Sequence, residues 1–224
     1  FINSKYILVA GGPFNLFILS VVNSSWVKLE LCAISWADIP PYISPINEPP
    51  PPAGLSSNWS NVSLPSNKIP ISISTGPSAN HFCVVMDDGS LYCWGDNRAG
   101  QLGIGFSCQS GSYQNGCNGQ GGLLNPNIVA LPNNLTATAA STSYDGTCAI
   151  LEDHSVWCWG DNWGGSLGTG IDFDYDSPST LYSYNPAPVV MPIGFNATGI
   201  SRGYQHSCML GMDGRVFCWG GAQA

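Results

Sequence analysis

The sequence predicts an all-β fold assembled from repeated antiparallel units, and three observations carry that prediction. Of 224 residues only 9% are charged, while 27 Gly, 17 Pro and 11% aromatics supply turns and apolar mass. That composition suits many short strands joined by tight loops and differs from that of a disordered chain. Second, one pattern of about eighteen residues occurs three times along the chain. Third, each occurrence sets two cysteines ten positions apart around a short turn and follows the second with Trp-Gly.

The three copies are NHFCVVMDDGSLYCWGDN (80–97), DGTCAILEDHSVWCWGDN (145–162) and QHSCMLGMDGRVFCWGGA (205–222). Small-residue lead-ins ISIST, ATAAST and ATGISR precede them, and GQLGIG and GSLGTG follow the first two. Agreement at this many positions marks an internal repeat of one supersecondary unit.

Each cysteine pair is symmetric about a three-residue loop: Asp87-Asp88-Gly89, Glu152-Asp153-His154 and Met212-Asp213-Gly214. A type I turn followed by a left-handed residue closes such a hairpin, and Gly is the least strained residue at that last position. His154 departs from the preference and has to accept a positive φ. The loop then sets Cys83 opposite Cys93, Cys148 opposite Cys158 and Cys208 opposite Cys218. Directly opposed positions on paired strands lie close enough for a disulfide. Zinc prefers closely spaced knuckles that gather four ligands, so no metal is expected at these cysteines. His81 and His206 each stand two residues before a cysteine, which raises Cys-His ligation. A partly buried histidine hydrogen-bonded to a neighbouring loop is the stronger reading. Cys108 and Cys117 bracket QSGSYQNG and are expected to close it. Cys32 is left over, either free and buried or paired outside the chain.

In chain order, residues 1–38 are an N-terminal β-segment. The apolar run FNLFILSVV (14–22) falls short of the about 18–20 residues that span a bilayer, so a buried strand is expected and not a membrane segment. No Met opens the chain and no basic region precedes that run, so no intact signal peptide is expected. Displaced by 64 residues, GGPFNLFILSVVNSSWVKLEL (11–31) lies under TGPSANHFCVVMDDGSLYCWG (75–95). The turn becomes Asn23-Ser24-Ser25 and the two cysteine positions become Leu19 and Leu29. The segment reads either as a degenerate fourth copy or as an unrelated hairpin.

Residues 39–69 are a Pro-rich linker. Pro49, Pro50, Pro51 and Pro52 predict polyproline II, which cannot join the centre of a sheet. The linker reads first as a spacer and second as a docking segment or a site of proline hydroxylation and O-glycosylation. The repeats fill 70–224 as units of about 70–132, 135–193 and 197–224, the last incomplete. In the second unit Asp172, Asp174 and Asp176 alternate. A calcium loop of that pattern also needs Gly at its sixth position and an acid at its twelfth, so a solvated acidic loop is expected.

Net charge −8 with six scattered basic residues excludes a phosphate-binding patch, so no nucleic-acid partner is expected. Five Asn-x-Ser/Thr sequons, at Asn23, Asn58, Asn61, Asn134 and Asn196, join the cysteines in pointing to a secretory route and covalent glycans. Neither a phosphate loop, a metal cluster nor a Ser-His-acid set can be placed. The chain is therefore expected to be no enzyme, with no catalytic residues and no cofactor.

Taken together, the lead-in, the His two before a hydrophobic strand, Asp-Gly, Trp-Gly-x-Asn and Gly-x-Leu-Gly resemble the repeats of the regulator of chromosome condensation superfamily over residues 70–224. The resemblance implies a β-propeller of four-stranded antiparallel blades, most often seven of them. The Cys-Trp-Gly version is similar to extracellular members, including Crinkly-type receptor ectodomains and algal mastigoneme components. The namesake activity, nucleotide exchange on a nuclear GTPase, goes with a basic arm that this sequence lacks. Three or four units do not close a seven-bladed ring, so a partial propeller is expected, completed by a longer chain or by neighbouring chains. Open sheet edges invite pairing with other protein chains, copies of this one foremost. The resulting expectation is an extracellular or cell-surface structural glycoprotein, a subunit of a filament or coat. A ligand-binding receptor ectodomain is the alternative, and a secreted inhibitor comes third.

Overall fold

Fourteen short strands in four antiparallel sheets make up the described part of the molecule. The computed structural model describes residues 5–10, 16–22, 26–32, 62–76, 79–171 and 178–221, with side chains from residue 62 onward except at 178–179. The first sheet is β1 (Lys5–Ala10), β2 (Leu16–Val22) and β3 (Trp26–Cys32) in that order, with Leu19 opposite Leu29. The turn Asn23-Ser24-Ser25, Pro49 to Pro52, sequons Asn58 and Asn61, and Asp172, Asp174 and Asp176 lie outside the described residues.

The second sheet runs β4 (Pro70–Ser74), β5 (His81–Met86), β6 (Leu91–Asp96) and β7 (Gly122–Ile128). The third repeats it as β8 (Ala137–Ser143), β9 (Gly146–Leu151), β10 (Val156–Asp161) and β11 (Tyr182–Pro188). The fourth holds β12 (Ala197–Arg202), β13 (His206–Gly211) and β14 (Val216–Gly220). The repetition reaches fine geometry. Each lead-in strand shifts register at one point, between Pro70 and Ser72, Ala137 and Ala139, and Ala197 and Gly199. A bulge there bends the strand and increases its twist.

The hairpins follow from their loops. Gly89, His154 and Gly214 take φ of 75°, 65° and 79°, and their amides donate to Met86 O, Leu151 O and Gly211 O at 2.9, 2.9 and 3.0 Å. The central aspartate of each loop accepts from the amide two residues on, Asp88 from Ser90, Asp153 from Ser155 and Asp213 from Arg215, each at 3.0 Å. His154 keeps its left-handed backbone with its ring Nδ1 3.2 Å from Ala197 O of the next sheet. The resulting register sets Cys83 on Cys93, Cys148 on Cys158 and Cys208 on Cys218. All three pairs are disulfides, as is Cys108–Cys117.

The cores lie between sheets. Cys83, Cys93, Leu102, Val129, Leu151 and Trp159 fill the space between the second and third sheets. Cys148, Cys158, Leu167, Val189, Phe195 and Met209 fill that between the third and fourth. Stacking on both sides leaves β9 buried at all six positions, without the in–out alternation of a half-exposed strand. Among the described residues the blades form an open propeller, not a closed ring.

Candidate functional site

The repeated residues other than cysteine serve the junctions between blades. Trp159, after the second cysteine of its unit, donates its indole N–H to Gln101 O of the preceding unit at 2.9 Å. Thr147, before the first cysteine, donates to the same carbonyl at 2.8 Å. One junction further on, Trp219 and Ser207 reach Ser166 O at 3.0 and 3.2 Å. Gln101 and Ser166 are the variable residues of Gly-x-Leu-Gly. The closing glycines of that motif, Gly103 and Gly168, have φ of 68° and 66°. A Cβ there would stand 2.6 Å from Trp159 Nε1 and 2.5 Å from Trp219 Nε1, so glycine makes room for the next unit's tryptophan. Asn97 and Asn162 hold the same loop by accepting from Leu102 N and Leu167 N at 3.1 and 3.2 Å.

His81 differs from expectation. It is fully buried, and its Nε2 lies 2.7 Å from Thr147 Oγ1 on a strand of the next blade, not a loop. Because Thr147 already donates to Gln101 O, its oxygen accepts from His81 Nε2–H, which leaves Nδ1 bare and without a partner. Burial holds the ring neutral and pulls its pKa down to about 3. The physical reason is that its face of β5 packs against the third sheet, where Thr147 meets it. His206, the corresponding residue of the third unit, is exposed.

Beneath one rim sits a buried cation. Arg202 is 3% exposed and donates to Ser143 Oγ at 3.1 Å, Ser166 O at 3.0 Å, Ser166 Oγ at 3.1 Å and Asp161 O at 3.0 Å. Burial lowers its pKa to about 10, opposed by Asp161 and Asp145. Its guanidinium occupies the space beside Gly146, where a Cβ would collide with it.

Above it opens a cleft of about 390 Å³ where three units meet, lined by Arg98, Tyr144, Asp145, Asp161, Trp163, Tyr182 and Tyr204 among others. Tyr144 and Asp145 come from the β8–β9 turn, Tyr204 from the β12–β13 turn, and Asp161 from the end of β10. Tyr144 and Tyr204 meet at 4.9 Å between ring centroids. Tyr204, Tyr182 and Trp163 are 59%, 42% and 40% exposed. Asp145 and Asp161 rise from adjacent backbones, since Asp161 N donates to Asp145 O at 2.8 Å. Burial first, then Asp96 and Asp161, pushes the Asp145 carboxyl up to about 6; burial likewise raises Asp161. Arg98, the exposed cation of the cleft, is already paired with Asp96. Among the described residues no group of His, Cys, Asp and Glu is arranged to hold a metal ion, and no cation lies over Tyr144, Tyr182 or Tyr204.

None of the cleft residues is singled out by sequence. One signal was present: Tyr144 and Tyr204 both stand four residues before the first cysteine of their unit. Sequons Asn134 and Asn196 are exposed at the opposite rim, beside the hairpin loops. There Ala137 N donates to Gly89 O, and Met212 N to Asn196 O. Among the described residues nothing covers the outer face of the fourth sheet: Cys218 is exposed, whereas Cys83, Cys93, Cys148 and Cys158 are fully buried.

Models of the regulator of chromosome condensation (RCC1) repeat match residues 71–101, 138–162 and 153–210. Over these segments the chain is similar to RCC1 repeats. The RCC1 domain-containing protein RUG3, mitochondrial, of Arabidopsis thaliana is 33% identical over 146 residues, which are 64% of this chain and 29% of that protein. Yeast RCC1 (Prp20), solved bound to Kap60, superposes with a TM-score of 0.61 at 16% identity over 96% of this chain and 44% of that one. The chain thus spans less than half the length of either. The ectodomain of the Physcomitrella patens receptor kinase CR4 gives a looser likeness, TM-score 0.47 at 18% identity, over 96% of this chain and 42% of that one. No helix among the described residues is long and apolar enough to cross a membrane.

Proposed function

We propose that this chain is an extracellular protein-interaction module whose contact surface includes the cleft between Tyr144 and Tyr204. The observation that carries the reading is a preformed, aromatic-walled cleft on blades whose hairpins are each closed by a disulfide. Disulfides persist outside the reducing cytosol, and exposed aromatics beside fixed polar groups are what protein contacts use. Glycans at Asn134 and Asn196 would cover the far rim, roughly 20 Å away along six-residue strands, and leave the cleft rim open. The role is binding without catalysis, and it assigns no catalytic residue or cofactor.

Within that role we place the chain in a surface filament or coat, with further blades or copies meeting the uncovered β13–β14 face; a receptor ectodomain is the alternative. A photo-crosslinking residue at position 204, compared with one at position 193 on the glycan rim, tests the contact surface. Crosslinks to an extracellular protein from 204 alone support it, and equal yields from both positions refute it. Electron microscopy of the native material then separates the two forms: repeating filaments support the coat, isolated particles the ectodomain.

A further inference from the structure

We propose that the rim cleft receives the guanidinium of an arginine side chain from a basic segment of its partner, an inference that rests on the cleft being a contact surface. Three features of the site converge on that chemistry. The walls are aromatic: Tyr144 and Tyr204 in contact, with Tyr182 and Trp163 exposed across the opening. A planar cation gains from ring faces of this kind, by stacking and through the quadrupole. The polar lining is rich in acceptors. Asp145 and Asp161 rise from hydrogen-bonded neighbouring backbones and set two carboxylates in one lining, the acceptors that guanidinium donors seek.

The local charges are also unbalanced in the right sense. Asp96 is taken up by Arg98, and Arg202 lies below the cleft with its donors directed to carbonyl and hydroxyl oxygens of Asp161, Ser166 and Ser143. Among the described residues the Asp145 carboxylate accepts a weak 3.3 Å bond from Gln101 Nε2. Burial first, then Asp96 and Asp161, raises the Asp145 pKa against the pull of Arg98 and Arg202, and a cation arriving in the cleft would stabilise the carboxylate further. A metal ion finds no ligand cluster. The net charge of −8 further attracts basic segments and speeds their encounter.

The test uses N-acetyl-arginine amide as probe and N-acetyl-citrulline amide as its neutral isostere, titrated into the whole protein. Binding is read by Trp163 fluorescence and by NMR shifts of Tyr144 and Tyr204. The expected result is arginine binding with a Kd on the order of 1 mM, tightening as pH rises through about 6, with citrulline at least tenfold weaker. Asp145→Asn is expected to weaken arginine about tenfold, and Tyr204→Ala comparably, with the near-ultraviolet circular dichroism of both variants otherwise unchanged. Equal binding of arginine and citrulline overturns the charge recognition while leaving the cleft as a contact surface. Absence of arginine binding overturns the inference too, and crosslinking from position 204 then decides the contact surface by itself.

Discussion

Replacing Gly146 by alanine should loosen the junction between the third and fourth sheets through one side chain, Arg202. Gly146 has no unusual φ, so alanine meets no backbone strain, and by itself the change would stabilise by about 0.4–1 kcal/mol through the unfolded chain. In this structure its Cβ would overlap the guanidinium, with Arg202 Cζ and Nε at 2.5 Å. The side chain has to leave, and four charge-assisted hydrogen bonds go with it. At about 1.5 kcal/mol each, the low end for charged partners, they contribute roughly 6 kcal/mol. The desolvation that brings the arginine pKa down to about 10 offsets roughly 3 of that. The expected net loss for Gly146→Ala is therefore about 2 kcal/mol, and for Arg202→Thr, which installs the residue found at the matching position 142, about 2.5–3 kcal/mol. In the Arg202→Thr background Gly146→Ala should be neutral or stabilising, which makes the coupling about 2 kcal/mol. Urea unfolding of the oxidised protein and its three variants, followed by tryptophan fluorescence, measures the cycle. Losses that add to within about 0.5 kcal/mol would refute a shared guanidinium and place the two effects at separate sites.

Acid should weaken the first junction through His81, whose folded pKa of about 3 lies below its ordinary 6.5. The stability from the neutral ring is whole above 6.5 and is lost as pH falls towards 3, so about 2–3 kcal/mol should be gone by roughly pH 4.5. His81→Gln should flatten that slope, and an unchanged acid unfolding profile would exclude the histidine as its source. Asp145 works in the opposite direction: with its pKa raised to about 6, its contribution is present below the ordinary aspartate range and is lost as pH rises through 6. Asp145→Asn should thus gain about 1 kcal/mol at neutral pH after allowance for solvent screening, a gain that a thermal melt at pH 7 detects and that should vanish at pH 4. Under limiting dithiothreitol, Cys208–Cys218 should open first, because Cys218 is exposed while both other hairpin disulfides are fully buried. Alkylation and mass spectrometry give the order, and each opening should release about 2.7 kcal/mol by loop entropy for a ten-residue closure.

The hairpins were legible in sequence because a ten-residue spacing about a three-residue turn permits one register. The disulfides at Cys83, Cys148 and Cys208 follow from that register alone. The cleft was not legible, since its residues come from three units and meet only once the blades are stacked. Arg202 was missed for a similar reason: its partners Ser143, Asp161 and Ser166 lie 36 to 59 positions away, and Gly146 makes its room merely by lacking a side chain. The burial of His81 was underestimated because the sheet that covers its face of β5 comes from the next unit, with Thr147 66 positions away.

The junction hydrogen bonds of Trp159, Thr147, Trp219 and Ser207 end on main-chain carbonyls, those of Gln101 and Ser166. No substitution at either position can delete its own carbonyl oxygen, so the accepting atom of each joint is immune to point mutation there. What has to be preserved is the donating half, an indole and a hydroxyl in the following unit, with the glycine and asparagine that shape the receiving loop. Such a joint lets the stretch beyond Gly-x-Leu-Gly vary freely in length and content, from the cystine-closed loop at 108–117 to the acidic run at 172–176. New surface can therefore be grafted onto one blade without renegotiating how it docks to the next.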